Sequence, residues 1–457
     1  MYRKMFTGWL FICTMTGFAQ NTDSMMIRKI ADEILVNGKA YSNLHTLCKK
    51  VGGRVAGSPQ MVMAESWGRE ALQAAGAEKV WFQACQVPHW VRGGKDEAYF
   101  TIAGDRKKQV LDILALGNSQ GTENKGITAP VILINNFDEL ETRRSEISGK
   151  IVFYNYPFNP RLVKTFQAYG DAARYRGTGA SRAARYGAVG MLVRSMSHAT
   201  DNSPHTGGMS YNDSFPKIPA AAVGLRDADK LAAAFQANKN INVFLRSNAK
   251  MLPDTTGNNV IGEIRGSEFP DKIITVGGHL DSWDPGEGAH DDGAGCVQSI
   301  EVLRVLKAIG YQPRHTIRVV LFANEENGLR GGNKYAEEAK QKGEQHLFAL
   351  ESDAGGFTPR GFGFNISAAQ LEKIRQWLPL FTPYGVSELN AGGGGADIGP
   401  LNRLLATPVA GLQPDSQRYF DIHHARTDVF EAVNKRELEL GAVNMAALIY
   451  LVDKYGL

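Results

Sequence analysis

The second half of this chain alternates in a way that few folds accept. Apolar runs at residues 273–276, 317–322, 347–350 and 408–412 are separated by stretches of helical periodicity at 293–309, 333–342 and 437–455. A parallel strand must be re-entered from its own starting end, and a helix is the usual crossover. The alternation therefore predicts an α/β domain with a mostly parallel central sheet flanked by helices. Ligands of such sheets bind outside the carboxyl ends of the strands. The residues just after each apolar run are the ones to inspect for chemistry.

Those residues are charged in a concerted way. The first run leads into His279, Asp281 and Asp284, and the loop continues to His290-Asp291-Asp292-Gly293 at the start of a helix. The second leads into Asn324-Glu325-Glu326, the third into Glu351-Ser352-Asp353, and His423-His424 with Asp428 lie near the end. One acid at one strand end is a solvated loop. Acids and histidines at three consecutive strand ends converge on one edge of the sheet, where like charges repel unless a cation neutralises them. Imidazole with carboxylate is a donor set suited to zinc.

The remainder sets the context. At 457 residues the chain exceeds one ordinary core, so two domains are expected. With 43% hydrophobic residues, 21% charged and a net charge of +4, it reads as a soluble globular protein. It has no dense Lys/Arg run, which argues against nucleic acid as a partner. Arg3 and Lys4 before an apolar run at residues 5–18, with the small residues Gly17 and Ala19, read as an export signal cleaved near residue 20. The mature chain is then secreted or periplasmic, without stable membrane insertion. Cys48, Cys85 and Cys296 read as buried thiols, with one disulfide left open. Residues 24–75 look helical, interrupted by a loop before Pro59, and residues 80–87 look like a strand. Between residues 117 and 248 short apolar runs alternate with loops and two helical patches, one placed at 181–190. This texture predicts a separate β-rich module lying over or beside the site.

The motifs GGHLDSWD, HDDGAG, NEENG, ESDAGG and HHARTD together resemble the zinc-exopeptidase family of aminopeptidase and glutamate-carboxypeptidase type. The likeness extends to GGRVAGSP, VPHWVRG, ISGKIVFYN and the segment Ser203-Pro204-His205-Thr206-Gly207. It implies a zinc-exopeptidase, phosphorylase/hydrolase-like catalytic domain over residues 21–116 and 249–457, with a β-rich insertion at 117–248 that resembles a protease-associated domain.

Position by position, the resemblance implies two zinc ions per chain. His279 and Asp353 hold one, Glu326 and His424 the other, and Asp291 bridges them across a cis Asp291–Asp292 peptide. Glu325 becomes the general base. Asp281 orients His279, and Asp428 stands behind the last ligand. His424 is preferred to His423 because the family's last ligand precedes an acid by four positions. Asp291 is preferred to Asp292 by its spacing to Gly295, and His290 is a bystander. Val429 and the glycine-rich loop at residues 391–399 depart from the family's pattern. In that loop Asp397 is either a contact for a substrate ammonium or a helix cap. The activity implied is hydrolysis of a terminal bond in a short peptide, with aminopeptidase, carboxypeptidase and dipeptidase action all open. A second copy of the chain, as a homodimer, is a further open partner. A glutaminyl-cyclase-like enzyme and a catalytically dead binding protein are the competing readings; the intact ligands, intact Glu325 and inserted module argue against both.

Overall fold

The computed structural model describes the backbone of residues 7–457 except 106, 124, 238 and 239, and the side chains of this set from residue 22 onward. The expected export signal lies outside the residues whose side chains are described. Among the described residues no helix is long and apolar enough to cross a membrane.

Among the described residues sixteen strands form two sheets. In chain order they are β1 (Lys79–Val91), β2 (Glu97–Ile102), β3 (Gln109–Leu111), β4 (Ile113–Ala115), β5 (Ile127–Ile134), β6 (Ile151–Tyr154), β7 (Gly190–Arg194) and β8 (Ala220–Val223). They continue with β9 (Ile241–Arg246), β10 (Lys250–Ile264), β11 (Phe269–His279), β12 (His315–Phe322), β13 (Gln345–Glu351), β14 (Pro359–Asn365), β15 (Glu388–Ala391) and β16 (Val409–Pro414). The first sheet runs β1-β10-β12-β11-β13-β16-β14-β15. Its centre, β12-β11-β13-β16, is parallel, while β1, β10 and the β14–β16 pair add antiparallel partners. The expected parallel sheet is thus the middle of a mixed one.

Alternating residues of the central strands feed two cores. Val260, Val319 and Leu321 face a layer built by the helices Thr7–Asn37, Pro59–Ala74, Ala294–Ala308 and Lys435–Tyr455. Their neighbours Ile261, Val320 and Phe322 face the helix Arg330–Lys342 through Tyr335, Ala336 and Ala339. That alternation is the period of two expected of a sheet covered on both faces. Asp23 ties the first helix to the last, accepting hydrogen bonds from the hydroxyls of Tyr450 and Tyr455, both at 2.7 Å.

The second sheet runs β3-β2-β9-β5-β6-β7-β8-β4. It begins at Glu97, well before the expected boundary at 117, because β2, β3 and β4 are short and polar-interrupted and gave no clear period. It is also less purely β than expected. The helix Thr165–Ala184 packs on one face and Leu225–Ala237 on the other. The first of these lies ahead of the helix expected at 181–190, since its Gly and Arg residues dilute the apolar stripe. The chain leaves the first sheet at the end of β1 and returns at the start of β10, where Val91 pairs with Lys250. Phe357, Tyr419 and Phe420 of the first unit join the core beneath the helix Thr165–Ala184, which fixes this helix over the carboxyl edge of the central sheet.

Cys48, Cys85 and Cys296 are free and buried. Burial pushes the Cys48 thiol up to about 12, so it is chemically quiet.

The junction between β11, β13 and the helix Ala294–Ala308 supports the site. A β-carbon on Gly295 would lie 1.8 Å from the Ser352 carbonyl oxygen and 2.5 Å from either Asp292 carboxylate oxygen. Gly295→Ala is therefore expected to destabilise the protein by about 3 kcal/mol, the upper end for overpacking. Denaturant melting checks this; stability within about 0.5 kcal/mol of the parent, typical of a surface change, would contradict it.

Candidate metal centre

Three strand ends and two loops deliver the site. His279 ends β11, Glu325 and Glu326 follow β12, and Asp353 follows β13. Asp291 sits in the turn before the helix Ala294–Ala308, and its peptide bond to Asp292 is cis. His424, with φ of 60°, lies in the loop after the short helix Tyr419–Ile422.

These side chains gather around one buried carboxylate. Asp291 Oδ1 is 3.2 Å from His279 Nε2, and its Oδ2 is 3.2 Å from His424 Nε2. Asp353 Oδ1 lies 3.5 Å from His279 Nε2, and Glu326 Oε2 lies 3.1 Å from His424 Nε2. The five expected ligands thus form two halves, joined through Asp291. His423 stacks on His424 with ring centroids 3.5 Å apart, and its Nε2 is 3.6 Å from Asp291.

The neighbours are committed elsewhere. Asp292 accepts hydrogen bonds from the backbone amides of His279 and Gly295 at 3.1 and 2.9 Å, which makes it a clamp for the strand–helix junction. His290 accepts from the Gly356 amide through Nδ1 and lies 3.2 Å from the Ala432 carbonyl through Nε2, so neither ring nitrogen is spare. Asp428 accepts from the amides of His290 and Asp291 at 2.8 and 3.2 Å, holding the backbone that aims Asp291.

Two expectations are corrected in detail. Asp281 does not orient His279 with its carboxylate, which stands 3.8 Å from Nδ1; its backbone carbonyl does so at 2.9 Å. The carboxylate instead accepts from the amides of Glu325 and Glu326 at 3.0 and 3.2 Å, fixing both glutamates from behind. Asp397 is neither of the things expected. It is fully buried with no partner for either carboxylate oxygen, and the cap position of the helix Gly399–Leu405 falls on Ile398. The glycine-rich loop folds tightly over Glu351, so that a β-carbon on Gly395 would lie 2.0 Å from the Glu351 carboxyl carbon. This turns Asp397 inward, and a side chain with no exposed surface offers no contact to a substrate ammonium.

The electrostatics ask for a cation. Burial would hold His279 and His424 neutral, yet the carboxylates around them outweigh it and raise both imidazoles well above their ordinary range. Burial likewise pushes Glu326 up to about 7, with Asp291 adding to the effect. Glu325 is raised well above the carboxylate range, first by burial and then by the charges of Asp353 and Glu326. Buried Asp291 Oδ2 and Glu326 Oε1 lack a hydrogen bond of proper geometry. Orphaned buried oxygens are rare and call for an explanation such as an ion. Donor atoms of His279, Asp291 and Glu326 lie within 4.8 Å of one another, as do those of Asp291, His423 and His424, and those of His279, Asp292 and Asp353. The donor set fits zinc.

The cluster opens into a cavity of about 420 Å³, within the range of small-ligand sites. Glu325, Glu326 and Asp353 form one wall, while Phe166, Tyr169 and Arg176 of the helix Thr165–Ala184 form another. The loop between β7 and β8 also reaches the ligands themselves: the Thr206 carbonyl lies 3.2 Å from His424 Nδ1. Residues 203–207 entered the sequence reading only through the resemblance, and Phe166, Tyr169 and Arg176 gave no signal at all.

Residues 259–449 match Peptidase family M28. Human carboxypeptidase Q is 35% identical over 430 residues, spanning 93% of this chain and 88% of that protein. The chain belongs to peptidase family M28. It is accordingly a zinc-dependent exopeptidase. The crystal structure of an M28 peptidase precursor from Shewanella amazonensis SB2B aligns with a TM-score of 0.90 at 31% identity, covering 95% of this M28 chain and 97% of that one. BSAP, a zinc aminopeptidase from Bacillus subtilis, aligns over 90% and 93% of the two chains with a TM-score of 0.64 at 20% identity, a likeness of fold alone.

Proposed function

We propose that this M28 peptidase cleaves the terminal bond of dipeptides or short peptides with two zinc ions, His279 and Asp353 holding one, Glu326 and His424 the other, and Asp291 both. The observation that carries the reading is Asp291, whose two carboxylate oxygens face different histidines at 3.2 Å each. Zinc held at these positions would supply Lewis acidity, acidifying water and polarising the scissile carbonyl. Glu325 takes the proton from water and hands it to the departing amine. Asp281 keeps Glu325 and Glu326 in their separate roles by pinning both amides. A cation held beside it would favour the ionised form of Glu325 that accepts the proton.

We also infer secretion after cleavage near residue 20, and read the second sheet as a protease-associated domain inserted between β1 and β10. A one-metal cyclase is disfavoured because the ligand groups come in two halves, and a dead scaffold because Glu325 stands in the cavity wall. The test is metal analysis of purified protein with a screen of free, N-blocked and C-blocked dipeptides, before and after chelation. Two zinc ions per chain and chelator-sensitive hydrolysis are expected; one ion, or none with no turnover, would displace the proposal.

A further inference from the structure

We propose that Arg176, brought to the metal cavity by the helix Thr165–Ala184, holds the free carboxylate at the C-terminus of the substrate. The inference rests on the peptidase reading above and adds which end of the peptide is recognised.

Arg176 is the one Arg or Lys lining this cavity among the described residues. Its bonding differs from that of several half-buried arginines elsewhere in the protein. Arg92 pairs with Asp96 and Asp284, Arg304 with Glu33 and Glu301, and Arg318 with Glu263 and Glu344. Arg176 pairs with no carboxylate. Its Nη2 donates to the Tyr169 hydroxyl at 2.6 Å, its Nη1 makes a long bond of 3.4 Å to the Thr206 carbonyl, and its buried Nε has no partner. A guanidinium carries five donors in a planar fork shaped for a carboxylate. Here most of that fork is unused, and the side chain is held in place by the ring of Tyr169, 5.3 Å from its carbon to the ring centroid.

Position sets the end that is read. Thr206 O, which Arg176 reaches, is also 3.2 Å from His424 Nδ1, so the guanidinium stands beside the His424 half of the centre. A carboxylate bound there shares one cavity with Glu325, Asp353 and His424, where the scissile carbonyl would sit. That suits a dipeptide or a C-terminal residue as the leaving group, and leaves a peptide with a blocked C-terminus without its partner.

A purely structural role, in which Arg176 only steadies Thr206 and thereby His424, must be separated from recognition. The comparison uses zinc-loaded parent, Arg176→Gln and Arg176→Lys proteins. Each is given a dipeptide with a free C-terminus and the same dipeptide amidated. We expect Arg176→Gln to lower kcat/KM for the free acid about 10²-fold, as for loss of a charge-assisted bond left without its partner. The amide, a poor substrate of the parent, should change less than about 3-fold, and Arg176→Lys should recover part of the loss. Calorimetric binding of a dipeptide carrying a reduced, uncleavable bond, as acid and as amide, gives a readout that needs no turnover. Equal losses for acid and amide, or no preference by the parent, would overturn the inference. Zinc-loaded parent that binds the acid analogue but cleaves neither substrate would instead strike at the peptidase reading and leave this one standing.

Discussion

Asp291→Ala is expected to lose hydrolysis by at least about 10³-fold and to lose zinc from both halves of the centre, because water acidification and its use by the base disappear together. Among the described residues only Asp291 makes ion-pair contacts with both histidines, at 3.2 Å each, while Asp353 makes one with His279 and Glu326 one with His424. Ordinary ligand loss should empty one half; loss of the shared carboxylate should weaken two. Fold should survive, since Asp291 is held by Asp428 through its backbone amide and the clamp at the helix start belongs to Asp292. Metal content by elemental analysis, with circular dichroism as the control, decides the matter. A variant that kept both zinc ions would show that Asp291 is not shared.

The gathering of His279, Glu325, Glu326 and Asp353 was legible in the sequence because each follows an apolar run, and parallel strands put their ends on one edge. What lay beyond the motif was less legible, for separate reasons. Asp281 was correctly placed near His279, but a sequence does not say whether a carbonyl or a carboxylate makes the bond; the backbone turn after β11 decided it. The sequence offers Asp397, in a glycine-rich loop, as a contact for a substrate ammonium or as a helix cap. Glycines permit that loop to close onto Glu351, and burial follows from that closeness rather than from the residue types. The long strand β10 was missed because its first half is polar and carries Pro253, so it pairs with β1 at the sheet edge without an apolar period. Arg176 is more than a hundred residues from any ligand except through the fold. Only the packing of Phe420 and Tyr419 beneath the helix Thr165–Ala184 brings it to the cavity.

Adjacent glutamates with different tasks give the sharpest test of the mechanism. Glu325→Gln keeps the size of the side chain and leaves the amides held by Asp281 untouched. Glutamine cannot accept the proton of water, so turnover should fall at least about 10²-fold, the low end for an acid–base group. Zinc should remain, because Glu325 makes no ion pair with either histidine among the described residues, whereas Glu326 stands 3.1 Å from His424 Nε2. Glu326→Ala should therefore lose activity and metal together, and added zinc should restore some of the first by refilling the second. Added zinc should do nothing for Glu325→Gln, whose centre is already full. The two variants alter neighbouring positions on one loop, so a general disturbance of that loop would affect both alike. Loss of zinc from Glu325→Gln to the extent seen in Glu326→Ala, or near-normal turnover by Glu325→Gln, would exchange or abolish the roles given to the pair.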